Sequence, residues 1–178
     1  MRLSISSFNP IDEYIMELDH FDRLLLNLVQ EDAGRTAESI AEEVALSPSA
    51  IQRRIRRMRE QGVILRDISV VDPRKLAPST AFVVSIHVEQ ERPELLSQFR
   101  SWLSTQRNVQ QAFYVTGEAD FVLIVTAPST ESYDVFMSRL VSENPNVKRF
   151  TTNVALGIVK RGLTVPALVG HDDQPNAS

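Results

Sequence analysis

Five arginines, Arg53, Arg54, Arg56, Arg57 and Arg59, fall within seven residues of a 178-residue chain that is otherwise acidic, with a formal charge of −4. Arginine suits nucleic acid because its planar fork bonds guanine O6 and N7 bidentately or clamps a phosphate, and it keeps its charge. Ile51, Ile55 and Met58 recur at i, i+4 and i+7, the spacing of a helix face turned to a core. At about 100° per residue, Ser49, Arg53, Arg56, Arg57 and Glu60 then gather on the opposite side, with Gln52 and Arg59 on one edge and Arg54 on the other. Ser47 and Pro48 read as N-cap and first helical residue, and Gly62 as the stop. Residues near a helix N-terminus usually enter a groove deepest. Ser47, Ser49, Gln52, Arg53 and Arg56 are therefore assigned to base edges, and Arg54, Arg57 and Arg59 to the phosphate backbone. A merely solvated arginine face is the plain alternative. Against it, the charge has one sign with only Glu60 to offset it, and the helix follows a short turn behind another helix.

A second constellation is Thr116, Gly117 and Asp120. A glycine turn exposes backbone N–H groups that can receive a carboxylate, and Asp120 can accept hydrogen bonds from an α-ammonium, so together they suit a small amino acid. Gly-x-x-Asp is also a common way to turn between strands, and spacing alone favours that simpler reading.

Other chemistries find little support. Cysteine is absent, which removes disulfides, thiolate metal sites and thiol nucleophiles, and His20, His87 and His171 are isolated. No nucleophile elbow, HExxH, Walker A loop or GxGxxG occurs. Neither an enzyme nor a cofactor or metal is expected. The first thirty residues carry Asp12, Glu13, Glu17, Asp19 and Asp22 rather than a signal peptide, and no later run of about 20 apolar residues suggests a membrane span. A cytoplasmic protein is expected.

Charge is distributed unevenly. Residues 1–46 hold three basic and ten acidic side chains, 47–75 eight and three, and 76–178 eight and ten. A basic block thus sits inside an acidic protein, and phosphates respond to the local patch.

The elements that must position these groups follow from periodicity. Leu18, Phe21, Leu24, Leu25 and Leu28 mark a first helix with Asp19 as N-cap, ending before Gly34. A second helix starts at Thr36 and carries Ile40, Ala41 and Val44, with only Ala45 and Leu46 before the third at Ser47. The β-branched stretch 63–71 reads as a strand forming the wing and exit segment. Asp72-Pro73 and Ala77-Pro78 punctuate a linker. Next come a strand with Phe82, Val84, Ile86 and Val88 on one side, and a helix opened by Pro93 with Leu95, Leu96, Phe99, Trp102 and Leu103 inward. Strands follow at 109–116 and 120–126, then a helix at 130–141 with Tyr133, Phe136, Met137 and Leu140 inward. A last strand alternates Phe150, Thr152, Val154, Leu156 and Ile158.

The expected fold class is α+β: an N-terminal winged helix-turn-helix and a C-terminal ferredoxin-like βαββαβ domain. Its parts are an extension at 1–17, the DNA-binding domain at 18–66, a hinge strand and linker at 67–79, an effector-binding and oligomerisation domain at 80–162, and a flexible tail at 163–178. Two helices cover only one face of such a sheet, so the bare face calls for a second copy.

Leu18-Asp19-x-x-Asp22, Ile40-Ala41, Leu46-Ser47-Pro48-Ser49-Ala50-Ile51-x-Arg53-Arg54-Ile55, Gly62-Val63-Ile64 and Val115-Thr116-Gly117-x-x-Asp120-Phe121 occur in this order. In these motifs the chain resembles the Lrp/AsnC family, the feast/famine regulators, and the resemblance covers about residues 18–160 in order. The resemblance implies a regulator of transcription that binds double-stranded DNA, forms homo-oligomers (dimers, often octamers), and takes a free amino acid at dimer–dimer contacts, with effector contacts around the Thr116–Asp120 loop. It departs at two places. Residues 1–17 extend beyond the usual start, with Met16 where such proteins often begin, and Leu65-Arg66 replaces the usual glycine-aromatic pair after the wing. The rival reading is a ligand-sensing or scaffolding oligomer that has lost DNA binding, against which the retained arginines argue.

Overall fold

A computed structural model describes residues 17–72, 75–76 and 78–167. The chain forms two compact units, one from the described residues of Met1–Ser69 and Gly162–Ser178, the other from Val70–Arg161. The expected extension up to residue 16, Pro73, Arg74 and Ala77 of the linker, and tail residues 168–178 lie outside the described residues.

In the first unit, helix α1 (His20–Glu31) starts where Asp19 and Asp22 form a reciprocal capping box. Asp22 N–H donates to Asp19 Oδ1 at 2.9 Å and Asp19 N–H to Asp22 Oδ2 at 3.3 Å. Two donors that no helical carbonyl can reach are thereby satisfied. Helix α2 (Ala37–Ala41) starts at Thr36, whose hydroxyl accepts from Ser39 N–H. Helix α3 (Pro48–Glu60) starts at Ser47, which accepts from Ala50 N–H, and has Pro48 in its first turn. It ends in a Schellman motif: Gly62 takes φ +73°, Val63 N–H reaches the Met58 carbonyl at 2.9 Å and Gly62 N–H the Arg59 carbonyl at 3.1 Å.

The turn between α2 and α3 is longer than the two residues expected. Glu43 and Val44 N–H groups both close on the Ile40 carbonyl, the helix stops, and Val44 turns into the core. Leu25, Leu26, Ile40, Val44, Ile51 and Met58 form that core, with Leu18, Phe21, Leu28, Val29, Ile55 and Val63 packed around it.

The strand expected at 63–71 does not form. Leu65 and Val70 are mostly exposed there. A strand exists only by bonding to a neighbouring backbone, and β propensity alone supplies none.

The second unit runs β1 (Thr80–Val88), α4 (Pro93–Thr105), β2 (Val109–Tyr114), β3 (Phe121–Ala127), α5 (Thr130–Glu143) and β4 (Val147–Val154). The antiparallel sheet has the order β2-β3-β1-β4, the split βαβ arrangement of the ferredoxin-like fold. Alternation in β1 and β3 buries Phe82, Val84, Ile86, Phe121, Leu123 and Val125 against Leu96, Phe99 and Leu103 of α4 and Phe136, Met137 and Leu140 of α5. Phe82 stacks on Tyr133, and Phe99 meets Phe121 edge-on. Truncating a buried phenylalanine such as Phe82 to alanine would cost about 3–5 kcal/mol.

β4 starts and stops earlier than its alternation suggested. Val154 pairs with Phe82 and Ala155 N–H reaches the Ala81 carbonyl; Leu156 and Ile158 lie beyond these last bonds, exposed. By register, Val83 and Ser85 of β1, Val122 and Ile124 of β3, Phe113 of β2 and Thr151 and Asn153 of β4 share the face opposite α4 and α5, which no helix among the described residues covers. Phe113 is half exposed on it.

Candidate nucleic-acid interface

The N-terminal half of α3 presents Ser47, Ser49, Gln52, Arg53 and Arg56, all exposed. Ser47 Oγ lies 3.1 Å from Ser49 Oγ. Arg53 and Arg56 make no ion pair among the described residues. This row of hydroxyl, amide and guanidinium groups has the donors and acceptors that base edges in a major groove can use.

Arg54 and Arg57 are placed differently. Asp22 on α1 is wholly buried, and each of its oxygens holds one of them: Oδ1 accepts from Arg54 Nη1 at 2.8 Å and Oδ2 from Arg57 Nη2 at 2.6 Å. Arg54 Nη1 also donates to Asp19 Oδ2 at 2.7 Å, and its guanidinium lies 5.8 Å from the centre of the Phe21 ring. The Asp22 backbone N–H, with Arg54 beside it, holds the Asp19 carboxyl below the usual carboxylate range, and Asp19 followed by Asp22 raises Arg54. Arg57 remains 45% exposed and Arg54 22%, so each keeps a wet side from which a phosphate can be met. Arg59 pairs with Asp67 at 2.9 Å, with both side chains half exposed. A pair of that kind contributes roughly 0–1 kcal/mol.

A buried carboxylate is tolerated only when it is paired and hydrogen-bonded. Asp22 meets that condition with two guanidiniums and the Asp19 N–H, so it clamps α3 to α1 with no buried oxygen left over. The charge face on the helix wheel was legible from sequence; the clamp was not singled out. A signal existed: Leu18, Asp22, Leu25 and Val29 recur at helical spacing, which puts one acid on an otherwise apolar stripe.

Thr116, Gly117 and Asp120 come together at the turn between β2 and β3. Thr116 and Gly117 are exposed, and Gly117 has φ +122°, a conformation that favours glycine. Asp120 is half-buried and occupied: its Oδ2 accepts from Val88 N–H at 2.8 Å, beside the bulge where β1 loses register with β4. Its backbone N–H donates to the Ile86 carbonyl, and its carbonyl accepts from Val115 N–H. One carboxylate oxygen therefore already does structural duty. Elsewhere on this unit an open depression of about 390 Å³ is lined by Asp134, Met137, Ser138, Val141, Ser142 and Phe150.

Comparison with known proteins fits this geometry. Residues 18–64 match the family model described as winged helix-turn-helix DNA-binding, and residues 80–165 the Lrp/AsnC ligand binding domain. The chain is 42% identical to the uncharacterized HTH-type transcriptional regulator y4tD of Sinorhizobium fredii, over 88% of this chain and 92% of that one. It is similar to the crystal structure of an AsnC family transcriptional regulator from Agrobacterium tumefaciens: TM-score 0.76, 29% identity, 84% of this chain and 97% of the other. A transcriptional regulator from Neisseria meningitidis, solved as its L-Met complex, shares the fold at TM-score 0.75 and 21% identity, over 84% and 97% of the two chains.

Proposed function

The chain belongs to the Lrp/AsnC family of transcriptional regulators, and we propose that it reads operator DNA with α3, acts in the cytoplasm as a homo-oligomer, and answers to a small amino acid. In this reading residues 18–66 are the reading head, 67–79 the hinge and linker, and 80–162 the oligomerisation and effector domain. Ser47, Ser49, Gln52, Arg53 and Arg56 meet base edges, and Arg54 and Arg57 meet phosphates from the side that Asp22 leaves open. The observation that carries it is the exposed N-terminal half of α3 on a helix clamped by a buried carboxylate. With the helix already held, binding has to order the side chains and not the backbone that carries them.

Oligomerisation is supported by the uncovered sheet face with Val83, Val122, Ile124 and Phe113 on it, because apolar surface of that kind is ordinarily covered. Two linked reading heads then gain from effective concentration on paired half-sites. The effector reading rests on the family's ligand-binding domain and on the exposed residues Thr116 and Gly117 beside Asp120.

The test is a gel shift of the full chain on its own upstream DNA, with and without each free amino acid, beside sedimentation of the same protein. A retarded band, its movement by one or a few amino acids, and a mass of a dimer or larger are expected. No retardation at moderate salt would remove the DNA reading. Insensitivity to every amino acid would return Thr116, Gly117 and Asp120 to an ordinary turn.

A further inference from the structure

Beyond β4 the chain returns to the first unit and is gripped there by two side-chain amides of α1. Gln30 Nε2 donates to the Val165 carbonyl at 2.9 Å, and Gln30 Oε1 accepts from Val165 N–H at 2.8 Å. Asn27 Nδ2 donates to the Ala167 carbonyl at 3.2 Å, and Asn27 Oδ1 accepts from Ala167 N–H at 2.9 Å. Ala167 also packs on the core formed by Leu25, Ile40 and Ile51. Residues 163–167 were expected to belong to a flexible tail on composition alone, yet two of them are held at both backbone groups.

The pattern has a physical logic. A residue in extended chain turns its N–H and C=O to the same side, and a primary amide offers the complementary donor and acceptor, so each pair copies one rung of an antiparallel ladder. Alternate residues face the same side, which places the rungs on Val165 and Ala167; Pro166, with no N–H, falls where none is needed. Pro166 also fixes its own φ and biases Val165 toward extended backbone, so much of the ordering precedes docking. Asn27 and Gln30 are three apart on α1 and so share a helix face.

We propose that residues 163–167 are a latch: captured by Asn27 and Gln30, they hold α1, and through Asp22 the arginines of α3, in the geometry that binds DNA. Release of the latch loosens α1 and lowers operator affinity. The affinity half rests on the DNA reading of α3; the docking half does not.

The experiment uses the full chain, an Asn27→Ala/Gln30→Ala variant, and a chain ending at Gly162 that leaves every residue of α1 intact. Hydrogen exchange at Val165 and Ala167 is read in the first two, and affinity for DNA recovered from cells with the protein in all three. In the unaltered chain these amides should exchange at least about tenfold slower than in a free peptide. The double variant should restore free-peptide rates, and both altered chains should lose about three- to tenfold in operator affinity. Free-peptide exchange in the unaltered chain, or wild-type affinity in the chain ending at Gly162, overturns the latch. Because exchange is measured without DNA, slow exchange in a protein that binds no DNA would sink the reading of α3 while leaving the docking in place.

Discussion

The α3 face and the β2–β3 turn were both marked by residue types able to bind something, yet the fold treats them in opposite ways. On α3 the acid that could have quenched the arginines is buried beneath them, so Arg54 and Arg57 are held while Arg53 and Arg56 project into solvent. At the turn the acid itself is bent inward to serve Val88 N–H, and the exposed residues are Thr116 and Gly117. A site is prepared for a partner when its anchors and its contacts are different groups. For the base-edge positions of α3 they are different, with Asp22 anchoring through Arg54 and Arg57 while Arg53 and Arg56 are left exposed. At the turn the effector reading we propose would ask Asp120 to do both.

The largest effect that probes this contrast is on stability. Arg54→Ala leaves the buried Asp22 with one guanidinium, and the DNA-binding unit should lose about 3 kcal/mol, the low end for removing one partner of a buried pair because Arg57 still holds the other oxygen. Thermal unfolding measures it; an unchanged transition would mean that Asp22 is not the anchor.

Arg53→Ala and Arg56→Ala should do the reverse. Melting should stay at the wild-type temperature, while specific affinity falls by about 1–3 kcal/mol and sequence preference relaxes. Titrations of operator and scrambled DNA at two salt concentrations separate the two. Equal losses on both sequences would reassign these arginines to phosphates.

The turn is sharpened by two substitutions at one position. Asp120→Ala abandons Val88 N–H and should cost about 1–3 kcal/mol of stability in the second unit. Asp120→Asn keeps a carbonyl acceptor for that bond and discards the charge that would hold an α-ammonium. The amide variant should therefore melt like the wild type and lose the response to amino acids. A full response from Asp120→Asn would leave Asp120 with its structural role alone.

The smallest effect is in pH. The pKa of Asp19 is lowered in the folded chain by the Asp22 N–H and then by Arg54. Its contribution is thus complete above the unfolded carboxylate value, near 3.9, and is lost as pH falls through the lower folded value. Melting temperatures between pH 6 and pH 3 should drop less in Asp19→Asn, which keeps an N-cap acceptor, than in the wild type. Parallel curves would assign the acid sensitivity to other carboxylates.

Local features were legible in sequence because the groups that make them are a few residues apart. Asp19, Thr36 and Ser47 cap the helices they were expected to cap, Gly62 ends α3, and the alternation of Phe82, Val84 and Ile86 puts them in the sheet core. The arginine face belongs with these, since one helix period generates it. The failures lie where a partner is distant or missing. Residues 63–71 have the composition of a strand, but composition supplies no neighbouring backbone, and β4 stops pairing with β1 at Val154 although its own alternation runs on to Ile158.

Caps, periodicity and motif order were enough to determine where the helices start, which faces of β1 and β3 are buried, the βαββαβ order and the family. Tertiary structure alone decided that Asp22 would lie under Arg54 and Arg57, 32 and 35 residues away, that Asp120 would turn to Val88, and that Val165 and Ala167 would close on Gln30 and Asn27 across 135 and 140 residues. Caps and periodicities are written within a single turn or strand. Which buried acid meets which cation depends instead on how separately formed elements pack, and each polar group they enclose must then find its partner or leave the core.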